Sequence, residues 1–311
     1  MSGLLVVGDV VTDVVARHGT PLAPATDTAA AIRMLPGGAG ANAACWAARA
    51  GWADVRMLGR VGTEAAEWHE RALRRAGVRP MLVEDADAAT ATVIALVDAS
   101  AERTFLTDSG AALRLSPGDW SDSFLDGVAH LHLSGYLFFA APGRATALRA
   151  LRAAREAGVP VSVDPASTGF LKQLGVDRFL ADAEGAAVLF PNADEARLLT
   201  GCGEPEQAAG VLSRAFPLVA VTLGAAGALV AEAGSVTGRV AAPAVRAVDS
   251  TGAGDAFTGA FLAARLAGAD PTTAAAAGCR AGAEAVTVVG GRPAEDTPGR
   301  APGPRPLSPR P

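Results

Sequence analysis

The stretch Asp249-Ser250-Thr251-Gly252-Ala253-Gly254-Asp255 holds the residue types and spacing best suited to chemistry in this chain. Small residues and two glycines separate an extended run, Val240 to Val248, from a run with helical spacing, Ala256 to Leu266. Such a loop can turn consecutive backbone N–H groups toward one point, with a helix N-terminus behind them, and that geometry binds an anion. Asp255 is then a carboxylate beside an anion hole, where a second negative charge is disfavoured, so it is a candidate proton acceptor. It suits equally the first turn of a helix, where the dipole favours acids. The heptapeptide alone leaves both readings open.

Lys172 is the only lysine, and it lies outside any glycine-rich loop. A Walker-type site needs a lysine after its glycines to reach the phosphates. Phosphate chemistry in this chain therefore falls to arginine, metal and backbone N–H groups.

With 311 residues, half of them apolar, the chain can bury a full core as one large domain or one large and one small. A net charge of −5 offers no polybasic surface, so neither nucleic acid nor a membrane is an expected partner. Gly3 to Val15 carries Asp9 and Asp13 without a basic start and reads as a first strand, not a signal peptide. Cys45, Cys202 and Cys279 are far apart and lack metal-type spacing, which fits free thiols in a reducing, cytoplasmic setting. His130 and His132 share one strand face and read as packing residues rather than a metal cage.

Strand and helix patterns alternate along most of the chain. Strands are expected at 4–7, 55–58, 129–133, 159–163, 188–190, 218–222 and 228–231. Helices are expected at 42–50, 64–75, 144–156, 208–215, 254–267 and 271–285. The alternation predicts an α/β fold, a Rossmann-like, mainly parallel sheet with helices on both faces. Residues 11–35 and 89–107 interrupt it with extended segments, the second a hairpin turning at Asp98–Glu102. Paired, they make a small β lid over a core formed by 1–10, 36–88 and 108–296. The Pro-rich tail 297–311 is expected to be disordered.

A second glycine motif, Gly37-Gly38-Ala39-Gly40-Ala41-Asn42, precedes a helix. The strand-then-turn context of a dinucleotide fingerprint belongs at Val7–Val11, which has no such glycines, so a close backbone approach to a polar ligand is the better reading. Taken in order, Gly8-Asp9-x-x-x-Asp13, this motif, Asn192-Ala193-Asp194-Glu195, Thr222-Leu223-Gly224-x-x-Gly227 and the 249–255 loop resemble the ribokinase (PfkB) family of sugar and nucleoside kinases, from about residue 3 to 293. The resemblance implies ATP and Mg²⁺. It makes Asp255 the base that deprotonates a substrate hydroxyl, with Gly252, Ala253 and Gly254 holding the transferring phosphoryl. Asp255 would also carry a raised pKa from the like charge of the phosphate. The same resemblance puts Asp13, Gly38 and Asn42 on the sugar hydroxyls and Asn192 near the nucleotide phosphates. It puts Glu195 on water around Mg²⁺, Thr222, Gly224 and Gly227 along the nucleotide, and Cys279 beside the adenine. Asp249, Thr251, Ala285, Val288 and Gly290 match positions that hold K⁺ in many members, although Ala294 stands where a serine is common.

Ribokinases proper usually carry a glutamate near the segment that here reads Leu133-Ser134-Gly135-Tyr136. Its absence leaves the acceptor open. Arg103 could reach a carboxylate, phosphate or hydroxyl, and Phe105, Tyr136, Phe138 and Phe139 could form either a stacking face or core. The expected activity is phosphorylation of a primary hydroxyl on a small sugar or sugar acid. A nucleoside kinase is the alternative, a catalytically silent regulatory member a weaker one and an oxidoreductase a distant one. Lid edges are where a homodimer would form.

Overall fold

A computed structural model describes residues 2–99 and 103–294. Its main sheet begins with β1 (Gly3–Val7), continues through β4 (Val55–Gly62) and β5 (Val78–Asp85), and returns at β8 (Val128–Leu133). β9 (Val161–Val163), β10 (Val188–Leu189), β11 (Leu218–Thr222), β12 (Ala228–Glu232) and β13 (Ser235–Val240) follow. The nine strands lie in the order β13-β12-β11-β10-β9-β8-β1-β4-β5. Pairing is parallel from β5 through to β11, and only β12 and β13 join as antiparallel hairpins. A sheet covered on both faces needs apolar residues on both sides of each central strand, and Leu4 to Val7 are all fully buried.

On one face, α1 (Ala39–Arg49), α2 (Ala66–Arg75), α8 (Ala253–Leu266) and α9 (Pro271–Ala285) enclose an apolar layer built on Val6, Met57, Phe190 and Phe261. On the other, α3 (Ala141–Glu156), α5 (Val176–Asp182), α6 (Ala193–Thr200) and α7 (Pro205–Leu212) pack on Val7, Leu133, Val163 and Val219. A short α4 (Thr168–Leu174) contributes Leu171 to that second layer.

The two extended segments pair with each other. β2 (Val11–His18), β3 (Ala30–Gly37), β6 (Ala91–Val97) and β7 (Arg103–Asp108) form a separate four-stranded sheet ordered β3-β2-β6-β7. Its central pair, β2 with β6, is parallel and both outer pairs are antiparallel. The expected turn at Asp98–Glu102 falls partly, and the Pro-rich tail wholly, outside the described residues.

Three local expectations need correction. The extended run Val240–Val248 is not a strand: β13 ends at Val240 and the chain then leaves the sheet irregularly through Pro243, which lacks an N–H for a ladder. β5 was not foreseen; it continues directly from the Gly77 stop. Helix α1 starts at Ala39, three residues before the expected Asn42, because a carboxylate distant in sequence caps it.

Candidate active site

That cap is Asp9, at the carboxyl end of β1. It accepts the N–H of Ala39 at 2.7 Å, the N–H of Gly40 at 3.2 Å and the Ser134 hydroxyl at 3.0 Å. The first N–H groups of a helix have no partner within it, so Asp9 fixes the glycine loop to the sheet. Close approach demands the glycines: a Cβ on Gly38, at φ 96°, would lie 2.5 Å from the Asp9 carbonyl oxygen, and one on Gly40 would lie 2.9 Å from Gly8 Cα. Helix α1 is thereby aimed with Asn42 facing α8.

Asn42 Nδ2 donates to Asp255 Oδ2 at 2.8 Å, across 213 positions of sequence. Asp255 stands in the first turn of α8, after Gly252 in the left-handed region at φ 74°. Behind this pair lies a strap, Gly290-Gly291-Arg292. Trp46 Nε1 donates to the Gly291 carbonyl at 2.9 Å, and a Cβ on Gly252 would meet Gly291 Cα at 2.4 Å. Asp249 ties the strap to the loop, accepting the N–H of Thr251 at 2.9 Å and of Gly290 at 3.0 Å.

These elements meet at a cavity of about 560 Å³ between the two sheets. It sits at the carboxyl ends of the parallel strands, where ligands of open α/β sheets collect. Asp13, Gly38, Asn42, Asn192, Glu195, Thr222, Thr251, Gly252, Gly254 and Asp255 all line it. Asp249 and Gly290, with Thr251, border a smaller space of about 60 Å³ next to Asp13. Ala285 is fully buried against Trp46 and Ala256, and its carbonyl accepts the Val288 N–H at 3.3 Å.

Other expected site residues are not among those lining this cavity. Gly224 and Gly227 form the tight turn between β11 and β12: Gly227 adopts φ 100°, and a Cβ there would lie 1.9 Å from the Val240 carbonyl oxygen. Both are accounted for by the hairpin and lie off the cavity wall. Cys279 is packed in the apolar layer beneath α8 and α9, where burial pushes its thiol pKa up. Ala253 opens α8 without lining the cavity. Phe138 is fully buried in the core, while Phe139 stacks on Phe170 at 5.0 Å. The Arg103 side chain lies outside the described residues.

Sequence reasoning passed over Asp9 as a cap, and also Asp164, Phe170 and Arg292. Asp164 and Phe170 line the cavity, and Asp164 follows β9 at the ligand-collecting end, a signal that was available. Arg292 carried none; its guanidinium donates to the Gly37 carbonyl at 3.1 Å beneath the small sheet.

Charge accumulates in the cavity. Burial pushes the Asp255 carboxyl up to about 8; the Asn42 amide opposes this, and Asp164, Asp9 and Asp13 add to it. Burial likewise lifts Asp13 to about 7, with Arg292 opposing and Asp9 and Asp249 adding. Glu195 also reaches about 7 by burial, although the Asn192 N–H donates to it at 2.8 Å in a reciprocal cap of α6. The raised Asp255 pKa thus precedes any bound phosphate and comes from desolvation and neighbouring carboxylates. Carboxyls raised above their unfolded values near 4 hold native-state protons that the unfolded chain has lost. Stability should therefore fall as pH rises through the interval from about 4 to about 8. A thermal midpoint lower at pH 8 than at pH 5.5, with a shallower slope in Asp255→Asn, is the expected result; a midpoint that rises over that range would contradict it.

The structure offers fitting surroundings for a nucleotide phosphate and Mg²⁺. Gly252 and Gly254 at the start of α8 line the cavity, a Cβ on Gly254 would meet nothing within 4 Å, and Glu195 and Asp164 supply hard oxygen donors nearby. A doubly layered parallel sheet, a small covering sheet, and a buried carboxylate beside a helix N-terminus define a small-molecule phosphotransferase.

The pfkB family carbohydrate kinase model matches residues 1–298, and the chain belongs to that family, whose members are ATP-dependent. A fructokinase of Klebsiella pneumoniae is 35% identical over 258 residues, 79% of this chain and 81% of its own. The aminoimidazole riboside kinase of Salmonella enterica, solved with aminoimidazole riboside and an ATP analog, is 28% identical with a TM-score of 0.75, covering 93% of this chain and 95% of its own. An E. coli protein described as a ribokinase II, solved with ATP and Mg²⁺, is 25% identical with a TM-score of 0.83, covering 94% of each chain. Among the described residues no helix is long and apolar enough to cross a membrane.

Proposed function

We propose that this kinase phosphorylates a primary hydroxyl of a small neutral sugar, with Asp255 as general base. The observation that carries the reading is the Asn42–Asp255 pair: a carboxylate with its pKa near working pH, oriented by an amide, in the first turn of a helix facing a cavity. Asp255 takes the hydroxyl proton, and the N–H groups of Gly252, Ala253 and Gly254 bind the negative charge that grows on the phosphoryl oxygens. Asp13, Gly38 and Asn42 orient the sugar hydroxyls. Mg²⁺, when bound, neutralises phosphate charge; Glu195 orders water around it, and Asn192 and Thr222 flank the nucleotide. The small sheet acts as a lid, keeping water from the reacting atoms.

The charged residues of the lining are acids, Asp9, Asp13, Asp108, Asp164, Glu195 and Asp255, and among the described residues no lysine or arginine joins them. A second reading, a nucleoside acceptor, is supported by Phe105, Tyr136 and Phe170 lining the cavity, since these rings offer a face for a base. ADP release over a panel of neutral sugars, sugar acids and nucleosides tests both. Highest kcat/KM on a ketose or aldose supports the first; a nucleoside preferred by about tenfold or more, about 1.4 kcal/mol, would replace it.

The Asp249–Gly290 hydrogen bond, which joins two of the five residues proposed to hold K⁺, supports that site; exchanging K⁺ for a large organic cation should then lower kcat, and an unchanged rate would remove the site. Ile32 and Met34 on edge strand β3 are 65% and 64% exposed, and Phe105 and Leu106 on β7 are 52% and 54% exposed. This apolar rim supports dimerisation through the lid, which sedimentation velocity would reveal.

A further inference from the structure

Among the described residues, four enclosed side-chain atoms have no hydrogen-bond partner: Asn42 Oδ1, His69 Nδ1, Arg292 Nε and Arg292 Nη1. Buried polar groups in native proteins are nearly always paired, so each exception asks for a reason. These four are not scattered. Gly291, next to Arg292, lies against Asn42, since a Cβ there would stand 2.3 Å from Asn42 Nδ2. Arg292 and His69 are near enough for the guanidinium charge to act on the imidazole. Asn42 lines the catalytic cavity, where the sugar reading already gives its oxygen a partner. The other atoms lie behind it, where the small sheet joins the main domain.

Arg292 reaches that junction from a fixed base. Asp249 holds the Gly290 N–H at 3.0 Å and Trp46 holds the Gly291 carbonyl at 2.9 Å. Pro293 then biases the backbone of Arg292 toward extended conformations. The guanidinium engages the Gly37 carbonyl through Nη2 at 3.1 Å. Asp13 of β2 touches the same glycine: a Cβ on Gly37 would stand 2.1 Å from Asp13 Oδ2. Guanidinium and carboxylate thus meet at one residue, although Arg292 Nε and Nη1 stay unpaired. The Arg292 charge attracts the Asp13 carboxylate, while Asp9 and Asp249 repel it. Beside Asp13, the Thr12 hydroxyl lies 3.0 Å from His69 Nε2, which roots the start of β2 on α2.

We propose that Arg292 is a positioning residue for the acceptor: as the small sheet closes on bound sugar, it brings the Asp13 carboxylate to the unpaired nitrogens of Arg292. The inference rests on the sugar-kinase reading above, in which Asp13 receives the sugar hydroxyls. An ionised carboxylate has acceptor positions for hydroxyls and a guanidinium together. The planar guanidinium can hold the Gly37 carbonyl and a carboxylate at once, which a lysine ammonium on its flexible stem does less well. Pairing would fix the orientation of Asp13 and tie the small sheet to the strap. That strap also packs against the catalytic loop, because a Cβ on Gly252 would meet Gly291 Cα at 2.4 Å. Closing the lid and seating the acceptor beside Asp255 then become one event.

Arg292→Met removes the charge and fills the space with apolar atoms. Without sugar, the full-length variant should melt no lower than wild type, because enclosed unpaired donors are destabilising. With the best acceptor from the panel, kcat/KM should fall about tenfold, the loss lying in the acceptor KM, since a hydrogen bond to a charged group is at stake. The KM for ATP should not move. A residue serving only the fold would give the opposite pattern. Arg292→Gln keeps a donor for Gly37 without the charge, should show the same loss, and stands in if Arg292→Met does not fold. Once Asp13→Asn has removed the carboxylate, adding Arg292→Met should cost no more than about twofold. Wild-type acceptor kcat/KM in both Arg292 variants, a change confined to melting temperature, or the full loss repeated on the Asp13→Asn background overturns the inference. If Asp13→Asn is impaired while the Arg292 variants are silent, the inference alone falls; if Asp13→Asn is itself without effect, the assignment of Asp13 to the sugar falls with it.

Discussion

Asp255→Asn lowers kcat by about 10²–10⁴, the span typical of removing a positioned base, while leaving the fold in place. The amide keeps the shape of the carboxylate and still offers an oxygen to Asn42 Nδ2, so the 2.8 Å contact that orients position 255 survives. What it lacks is a basic site for the hydroxyl proton. Because burial disfavours the ionised carboxylate, the variant should melt no lower than wild type at pH 8 and bind sugar with a similar Kd. Loss of rate without loss of stability or binding separates a chemical role from a structural one. Steady-state kinetics and calorimetry check it; turnover within about threefold of wild type, far below the loss expected of a base, would remove Asp255 from the mechanism.

The second large effect is expected from Gly259→Ala, on a residue that touches neither substrate nor nucleotide. Gly259 lies one turn beyond Asp255 on α8, where that helix crosses α1. A Cβ there would stand 2.3 Å from the Ala43 carbonyl oxygen, 2.8 Å from the Ala47 nitrogen and 2.9 Å from Trp46 Cβ. The opposing atoms are mostly backbone and cannot rotate aside, so the helices must separate at a cost of about 1–3 kcal/mol. The same displacement draws Asp255 from Asn42, and a misplacement of about 1 Å can cost about 10² in rate. Gly203→Ala, where a Cβ meets nothing within 4 Å, is the control and should change stability by no more than about 0.5 kcal/mol. Denaturant midpoints and kcat measured on both variants decide the matter. Equal stability and equal rate for Gly259→Ala would mean that helix contact does not position the base.

A large share of this protein was legible as a string. Apolar runs at strand length, alternating with helical spacing, specify a mainly parallel α/β sheet because both faces must be buried. The interruptions at 11–35 and 89–107 mark the second sheet, since period-two segments without an intervening helix have to pair with each other. Glycine motifs drew attention to both helix N-termini of the site, because close backbone approach leaves no room for Cβ.

Local sequence carries no signal for contacts made across hundreds of positions. Asp9 as the cap that starts α1 early, Gly291 as the wedge between Trp46 and Gly252, and Arg292 beneath Asp13 exist only once distant segments share space. Gly224 and Gly227 have a structural use that the motif did not announce, the tight turn between β11 and β12, and Cys279 packs into the apolar layer at the helix interface. The pKa of Asp255 belongs with the contacts, since it depends on burial and on carboxylates from two distant parts of the chain, Asp164 and the segment carrying Asp9 and Asp13. The amino-acid sequence by itself determined which residues are able to do chemistry and which sheet they hang from. Tertiary structure decided which are buried together, and desolvation and the electrostatics of proximity exist only in the folded chain.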